Sequence, residues 1–201
     1  MLIQHNKQDL ISINLIRAFA ALSVFYYHQH IGFIATKYTG IKLFFSTDSM
    51  GATYAVPLFF LISGYCIHLS SIKYLKAGES LPLKKYFKRR LLRLYPAYII
   101  AVIFSIAVSF ITHTLPQPGW VDVLVHLFLL QGLTTTYFNT INVVLWTITV
   151  ELLFYIVYPV FYFLRLKFSL TYAIAFALLV TCISISFFSS ATVTYPQYYF
   201  F

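Results

Sequence analysis

The sequence predicts an all-α, polytopic transmembrane helix bundle, and three observations carry that prediction. Of its 201 residues 60% are hydrophobic, 20% aromatic and only 9% charged, too little polar surface to clothe a soluble domain. Apolar runs long enough to cross a bilayer recur along the chain, about five or six of them at roughly 20 residues per span. Eight of the fourteen basic residues fall between Lys73 and Arg93, which is the positive-inside pattern of a cytoplasmic segment between spans. The net charge of +9 is therefore a topology signal rather than a nucleic-acid footprint, and no nucleic-acid partner is expected.

Met1 to Leu10 is a short polar leader, expected on the cytoplasmic side, with Lys7 balanced by Asp9. A first span runs from about Ile11 to Ile31; it has no A-x-A-type cleavage site and carries Arg17, so it is retained rather than a signal peptide. Gly32 to Gly51 is expected to be a polar-aromatic loop on the opposite side, holding Lys37, Lys42 and Asp48. A second span, Ala52 to Ser71, contains Pro57, Ser63 and Gly64, all tolerable in a spanning helix that packs on neighbours.

Ile72 to Arg93 is the basic loop, broken by Gly78 and Pro82 and closed by a helical run that puts Arg90 and Arg93 on one face at i,i+3. The third span covers Leu94 to Ile111. It ends before the turn-rich Thr112 to Gly119, and Trp120 marks an interface. Val121 to Phe138 is interrupted by Asp122, His126 and Gln131; a span inside the bundle and a re-entrant segment both fit. Val143 to Leu164 is a strong span carrying Glu151, with Arg165 and Lys167 directly after it, and Phe168 to Phe188 is a last span. Thr192 to Phe201 is an aromatic ending without a basic anchor. There is no internal repeat, low-complexity tract or soluble domain.

Ionisable residues at membrane depth are costly and usually face a protein interior or a wet cavity. Arg17 and His28 are eleven residues apart, which returns them to within about 20° of each other on a helix and separates them by about 16 Å along its axis. His28 is the candidate general base, and Arg17 can position an anion or stabilise negative charge. His30 is rotated by about 200° from His28 on a regular helix, so the two should not share a site. Glu151 is the only acidic residue in the clear spans and needs a partner there. Arg90 and Arg93, with Lys88 and Arg89 beside them, suit phosphate groups as well as anionic lipid. No GxxxxGK[ST], HExxH or CxxC motif occurs, so no metal centre or resident cofactor is expected. Cys66 and Cys182 are expected to act as small hydrophobes, and His68, His113 and His126 as interface or packing residues.

Four blocks, in order from Leu15 to Tyr155, make the chain resemble the acyltransferase family 3 of multi-spanning membrane proteins. They are the R-x10-H of Arg17 and His28, Val56-Pro-Leu-Phe-Phe-Leu-Ile-Ser-Gly-Tyr65, the R-x-x-R of Arg90 and Arg93, and Leu145-Trp-Thr-Ile-Thr-Val-Glu151. The last block has Thr147 where the family pattern has serine, which keeps the hydroxyl.

The resemblance implies an integral-membrane O-acyltransferase of the plasma or inner membrane. It moves an acyl group, commonly acetyl, from acyl-CoA as co-substrate to a hydroxyl of an extracytoplasmic carbohydrate. It implies His28 and Arg17 at the catalytic centre, Glu151 near the reaction, and Arg90 and Arg93 toward the acyl-CoA donor. Family members are bundles of about ten spans. Residues 1–201 are therefore expected to form one acyltransferase-like domain, either a naturally short member, one truncated at its C-terminal side or a fragment, and a second copy or another chain is one way to supply the missing helices. A catalytically inactive membrane protein that binds a lipid, glycan or partner, and a transporter subunit, are the alternatives.

Overall fold

A computed structural model describes residues 7–42, 54–113, 119–134, 136–138 and 140–192. Most of the leader, the end of the loop with Asp48, the Pro-rich turn at 114–118 and the aromatic ending from 193 lie outside the described residues. The described chain is helical, without strands, and divides into two compact units, Met1–Cys66 and Ile67–Tyr199.

The first unit holds α1, Lys7–His28, α2, Ile31–Thr39, and the opening turns of α3, Val56–Lys76. Alpha-helix α1 stops where expected, but not by entering a loop. Gln29 N–H still donates to Phe25 O at 3.0 Å, whereas His30 adopts φ 50° and ψ 34°, a left-handed conformation open to only a few non-glycine residues, His among them. The stretch expected as loop from Gly32 is instead α2. Ile31, Phe33 and Ile34 give it an apolar side, and Gly40 at φ 73° ends it by returning its N–H to Thr36 O at 2.8 Å, a left-handed stop that glycine makes without a Cβ clash.

In the second unit the basic segment breaks at Gly78 and Pro82 and closes in a helical run, as expected, but its first residues, 72–76, belong to α3 rather than to a loop, so the segment is a helical hairpin. Helix α3 continues to Lys76 and closes with Glu79 N–H on Tyr74 O at 2.9 Å and Gly78 N–H on Leu75 O at 3.1 Å, Gly78 having φ 69°. This is the paired 6→1 and 5→2 closure in which a glycine stands just past the helix. Helix α4 begins after Pro82 and runs unbroken from Leu83 to Thr112 through Pro96. At about 1.5 Å per residue its 30 residues span about 45 Å, more than the ~30 Å hydrocarbon core. The lysines and arginines of its first turns therefore lie beyond the span proper.

Helix α5, Trp120–Leu127, has 8 residues, about 12 Å, too short to cross. It is followed by Leu129 at φ 59° and the 3-10 turn Gln131–Leu133. The ambiguous stretch from Val121 to Phe138 is thus a short helix and turns, not a spanning helix. Helix α6, Trp146–Lys167, follows the 3-10 turn Val143–Leu145, and α7, Leu170–Thr192, packs along α6 with Ala173 fully buried.

Among the described residues three helical stretches are long and apolar enough to cross a membrane: Val56–Lys76, Leu83–Thr112 and Val143–Lys167; α7 adds the shorter apolar stretch Leu170–Ser184. The expected five or six segments are reached only by adding α1 and α7 to those three. The second unit's core is unusually rich in tyrosine: Tyr86 and Tyr98 from α4 meet Tyr155, Tyr158 and Tyr162 from α6. Each phenol brings a ring to bury and a hydroxyl that must find a partner. Tyr162 donates to Glu79 O at 2.6 Å, fastening the α3–α4 turn to α6.

Candidate functional site

The turn between α3 and α4 builds a cavity of about 230 Å³, lined by Ser70, Ser71 and Tyr74 of α3, Leu81 and Pro82 of the turn, and Lys85, Tyr86, Arg89, Arg90 and Arg93 of α4. Helical spacing assembles its charge: positions 85, 89 and 93 recur every four residues, with 86 and 90 on the adjoining row. Lys88 falls off that face and does not line it. Four cations thus face one small concavity, without an acidic side chain in the lining.

Arg90 is the most constrained of the four. Its guanidinium lies 5.8 Å from the ring centroids of both Tyr86 and Tyr155 and donates to Ser70 Oγ. A planar, weakly hydrated cation between two rings keeps its fork aimed. Tyr155, 2% exposed, donates its hydroxyl to Glu151 Oε1 at 2.5 Å. Arg90 and Glu151, far apart in sequence, therefore bracket one buried phenol. Arg93 lines the cavity from one turn further along α4.

Pro159 explains the placement of Tyr86. A proline in a helix interior has no N–H for the carbonyl four residues earlier, here that of Tyr155, and Tyr86 donates its hydroxyl to that oxygen at 3.2 Å. The break in the α6 ladder becomes the acceptor that fixes Tyr86 beside Arg90.

Toward its start, α6 meets the chain that follows α5. Gln131 Nε2 donates to Leu145 O at 2.9 Å, and Gly132 N–H donates to Thr149 Oγ1 at 3.2 Å. A Cβ on Gly132 would stand 2.8 Å from Thr149 Cβ, so only glycine fits this approach. Of the two threonines in the Leu145–Glu151 block it is Thr149, 1% exposed, whose hydroxyl makes a tertiary contact; Thr147 turns its hydroxyl onto Val144 O. Deeper along α4, Tyr95 donates to Leu127 O and Tyr98 to His126 O, the latter at 2.6 Å.

In the first unit, Arg17 is half-buried and His28, the last residue of α1, is exposed. The Tyr27 ring stands edge-on to His28 at 5.1 Å and also meets His30 at 6.5 Å. The regular helix on which His28 and His30 would point apart does not extend that far, and Tyr27 lies beside both.

Some groups pass unnoticed in the sequence. Ser70, Lys85, Tyr86 and Tyr155 have no motif to mark them; the four-residue spacing from Lys85 to Arg93 was the available signal. Asp122 and His126 stand at i,i+4, a spacing that places them on one face, and they pair at 3.1 Å. His68 accepts from Arg165 at 2.8 Å on Nε2, which leaves Nδ1–H for the Tyr158 hydroxyl at 3.1 Å; it is a packing residue held by hydrogen bonds. No cluster of three or more His, Cys, Asp or Glu with metal-binding geometry occurs among the described residues.

The sequence model of acyltransferase family 3, described as an acyltransferase domain, matches residues 10–201, and the chain belongs to that family. Among characterised relatives, the chain is 25% identical over 175 residues to the peptidoglycan O-acetyltransferase OatA of Listeria monocytogenes, covering 82% of this chain and 26% of that protein. It is 27% identical over 157 residues to the acyltransferase MdmB of Streptomyces mycarofaciens, covering 75% of this chain and 38% of that one. The chain therefore spans well under half the length of either relative. No solved structure matches it.

Proposed function

We propose that this member of acyltransferase family 3 is an integral-membrane O-acyltransferase that carries an acyl group, acetyl in the first instance, from acyl-CoA to a hydroxyl of an extracytoplasmic carbohydrate. The observation that carries the reading is the cationic cavity at the α3–α4 turn, where Lys85, Arg89, Arg90 and Arg93 converge and Arg90 is held between Tyr86 and Tyr155. A donor of this class bears phosphates, and guanidinium forks match phosphate oxygens in pairs. At about 230 Å³ the cavity is smaller than the ~300–1,000 Å³ of a site that encloses a whole ligand. It suits the phosphate end of the donor, leaving the acyl-bearing arm to extend along α4 and α6.

The basic hairpin faces the cytoplasm in this reading, with the N-terminus of α1 on the same side. Glu151 lies further along α6 and holds the Tyr155 hydroxyl. His28 acts as general base toward the accepting hydroxyl, and Arg17, on the same face about 16 Å away along the helix, positions an anionic part of the donor. The names of OatA and MdmB, an O-acetyltransferase and an acyltransferase, agree with this class of reaction.

The test is transfer of radiolabel from acetyl-CoA to cell-envelope carbohydrate in membranes carrying the chain. Replacing Arg90 and Arg93 together by alanine is expected to raise the KM for acetyl-CoA at least about tenfold, the equivalent of one hydrogen bond to a charged group. An unchanged KM would reduce the pair to a topology signal, and labelling that does not depend on acetyl-CoA would sink the donor assignment.

A further inference from the structure

The charge of Glu151 has the wrong sign for its surroundings. It lies one helical turn, about 6 Å, from Tyr155 along α6, near a cavity whose four cations suit an anion, yet it is not one of the residues lining that cavity. By its field alone a carboxylate this near weakens the pull of the site on phosphate. Its contact with the site runs through the Tyr155 hydroxyl, which donates to Oε1 at 2.5 Å.

Tyr155 in turn serves Arg90 twice. Its ring, 2% exposed, is one of the two that lie 5.8 Å from the guanidinium, and its backbone oxygen, left open by Pro159, accepts from the hydroxyl of Tyr86, whose ring is the other. Both rings against Arg90 are therefore placed through one residue. A hydrogen bond from a phenol to a carboxylate holds the phenol in one orientation and pushes electron density onto its ring, and a more electron-rich face holds a cation more strongly.

We infer that Glu151 is a positioning residue of the donor cavity: through the Tyr155 hydroxyl it fixes the aromatic cradle that aims the Arg90 guanidinium at the phosphates of the donor. The inference rests on the acyltransferase reading for the identity of that anion. It assigns Glu151 to the binding of the donor rather than to the chemical step.

Three roles for Glu151 give three different results in the labelling assay. For a positioning residue, Tyr155→Phe, which leaves every charge in place, should raise the KM for acetyl-CoA about threefold, and Tyr155→Leu, which also removes the ring, about tenfold, with kcat within about twofold of wild type. Glu151→Ala should match Tyr155→Phe, and the double variant should be no worse than either, because both break one bond. Glu151→Gln still accepts from the phenol and should recover most of the loss. A carboxylate acting by its field alone would make Glu151→Ala lower the KM and leave Tyr155→Phe neutral. One acting on the reacting atoms would make Glu151→Ala lower kcat whichever residue stands at 155. Either result overturns the inference.

Arg90 supplies a readout that needs no turnover. In the full chain in lipid nanodiscs with ¹⁵N-labelled arginine, the Arg90 guanidinium, identified by its loss in Arg90→Lys, should give Nη signals kept apart by hindered rotation, and these should merge in Tyr155→Phe. Signals unchanged by Tyr155→Phe in a folded chain overturn the inference. Merging signals in a chain that transfers no acyl group would support the positioning role while sinking the enzymatic reading. If Glu151→Ala does not fold, Tyr155→Phe still decides.

Discussion

The end of α1 and the interior formed by α4, α5 and α6 handle polar groups in opposite ways. On α1, Arg17 is half-buried and His28 exposed, and the Tyr27 ring stands edge-on to His28 beside a left-handed turn at His30. In the interior, Asp122, His126, Gln131 and Thr149 are all at most 5% exposed, and tertiary hydrogen bonds hold the segment that carries them. The first arrangement costs the fold little to change. The second is built into the packing, where an unmade bond leaves a buried group unsatisfied.

The largest expected effect tests that contrast on α1. His28→Ala should abolish acyl transfer, a loss of about 10²–10⁴-fold for a missing general base, while shifting stability by no more than about 0.5 kcal/mol, as for an exposed position. Unfolding in mixed micelles beside the labelling assay would check both. A stability loss equal to that of a core substitution would show that His28 is structural, and the contrast would fail.

Gly132→Ala probes the other region. Its Cβ would meet Thr149 Cβ at 2.8 Å, so about 1–3 kcal/mol of stability should be lost to overpacking. Thr149→Ala should not restore it, because the obstructing atom is the Cβ that alanine keeps. Rescue by Thr149→Ala would mean that the Thr149 hydroxyl or methyl sets the fit.

The same division explains what could be read from the sequence. Spans α3, α4 and α6 were legible because hydropathy is a local property, and the R-x10-H and R-x-x-R spacings were legible because a helix converts spacing into a shared face. In the basic segment the break at Gly78 and Pro82 and the helical run that ends at Arg93 are legible, whereas residues 72–76 read as loop and form the last turn of α3, because a helix can extend beyond the hydrocarbon core with its charges outside. The α2 helix was missed because nine residues carry too little periodicity. The Asp122–His126 pair was visible as an i,i+4 spacing, but its burial depends on Tyr98 and Thr140, and no local pattern announces those contacts.

The smallest expected effect sharpens the picture of the interior. Pro159 removes the helical partner of Tyr155 O, and Tyr86 supplies a replacement at 3.2 Å. Tyr86→Phe should therefore cost about 0.6 kcal/mol, the average for a hydrogen bond between membrane helices. In a Pro159→Ala background the α6 ladder can close on itself, so the same Tyr86→Phe change should cost measurably less. The difference between the two costs is the coupling between proline and tyrosine. Equal costs in both backgrounds would mean that Tyr86 is held by its stacking on Tyr158, 5.9 Å between centroids, and by Arg90, rather than by the carbonyl that Pro159 leaves open.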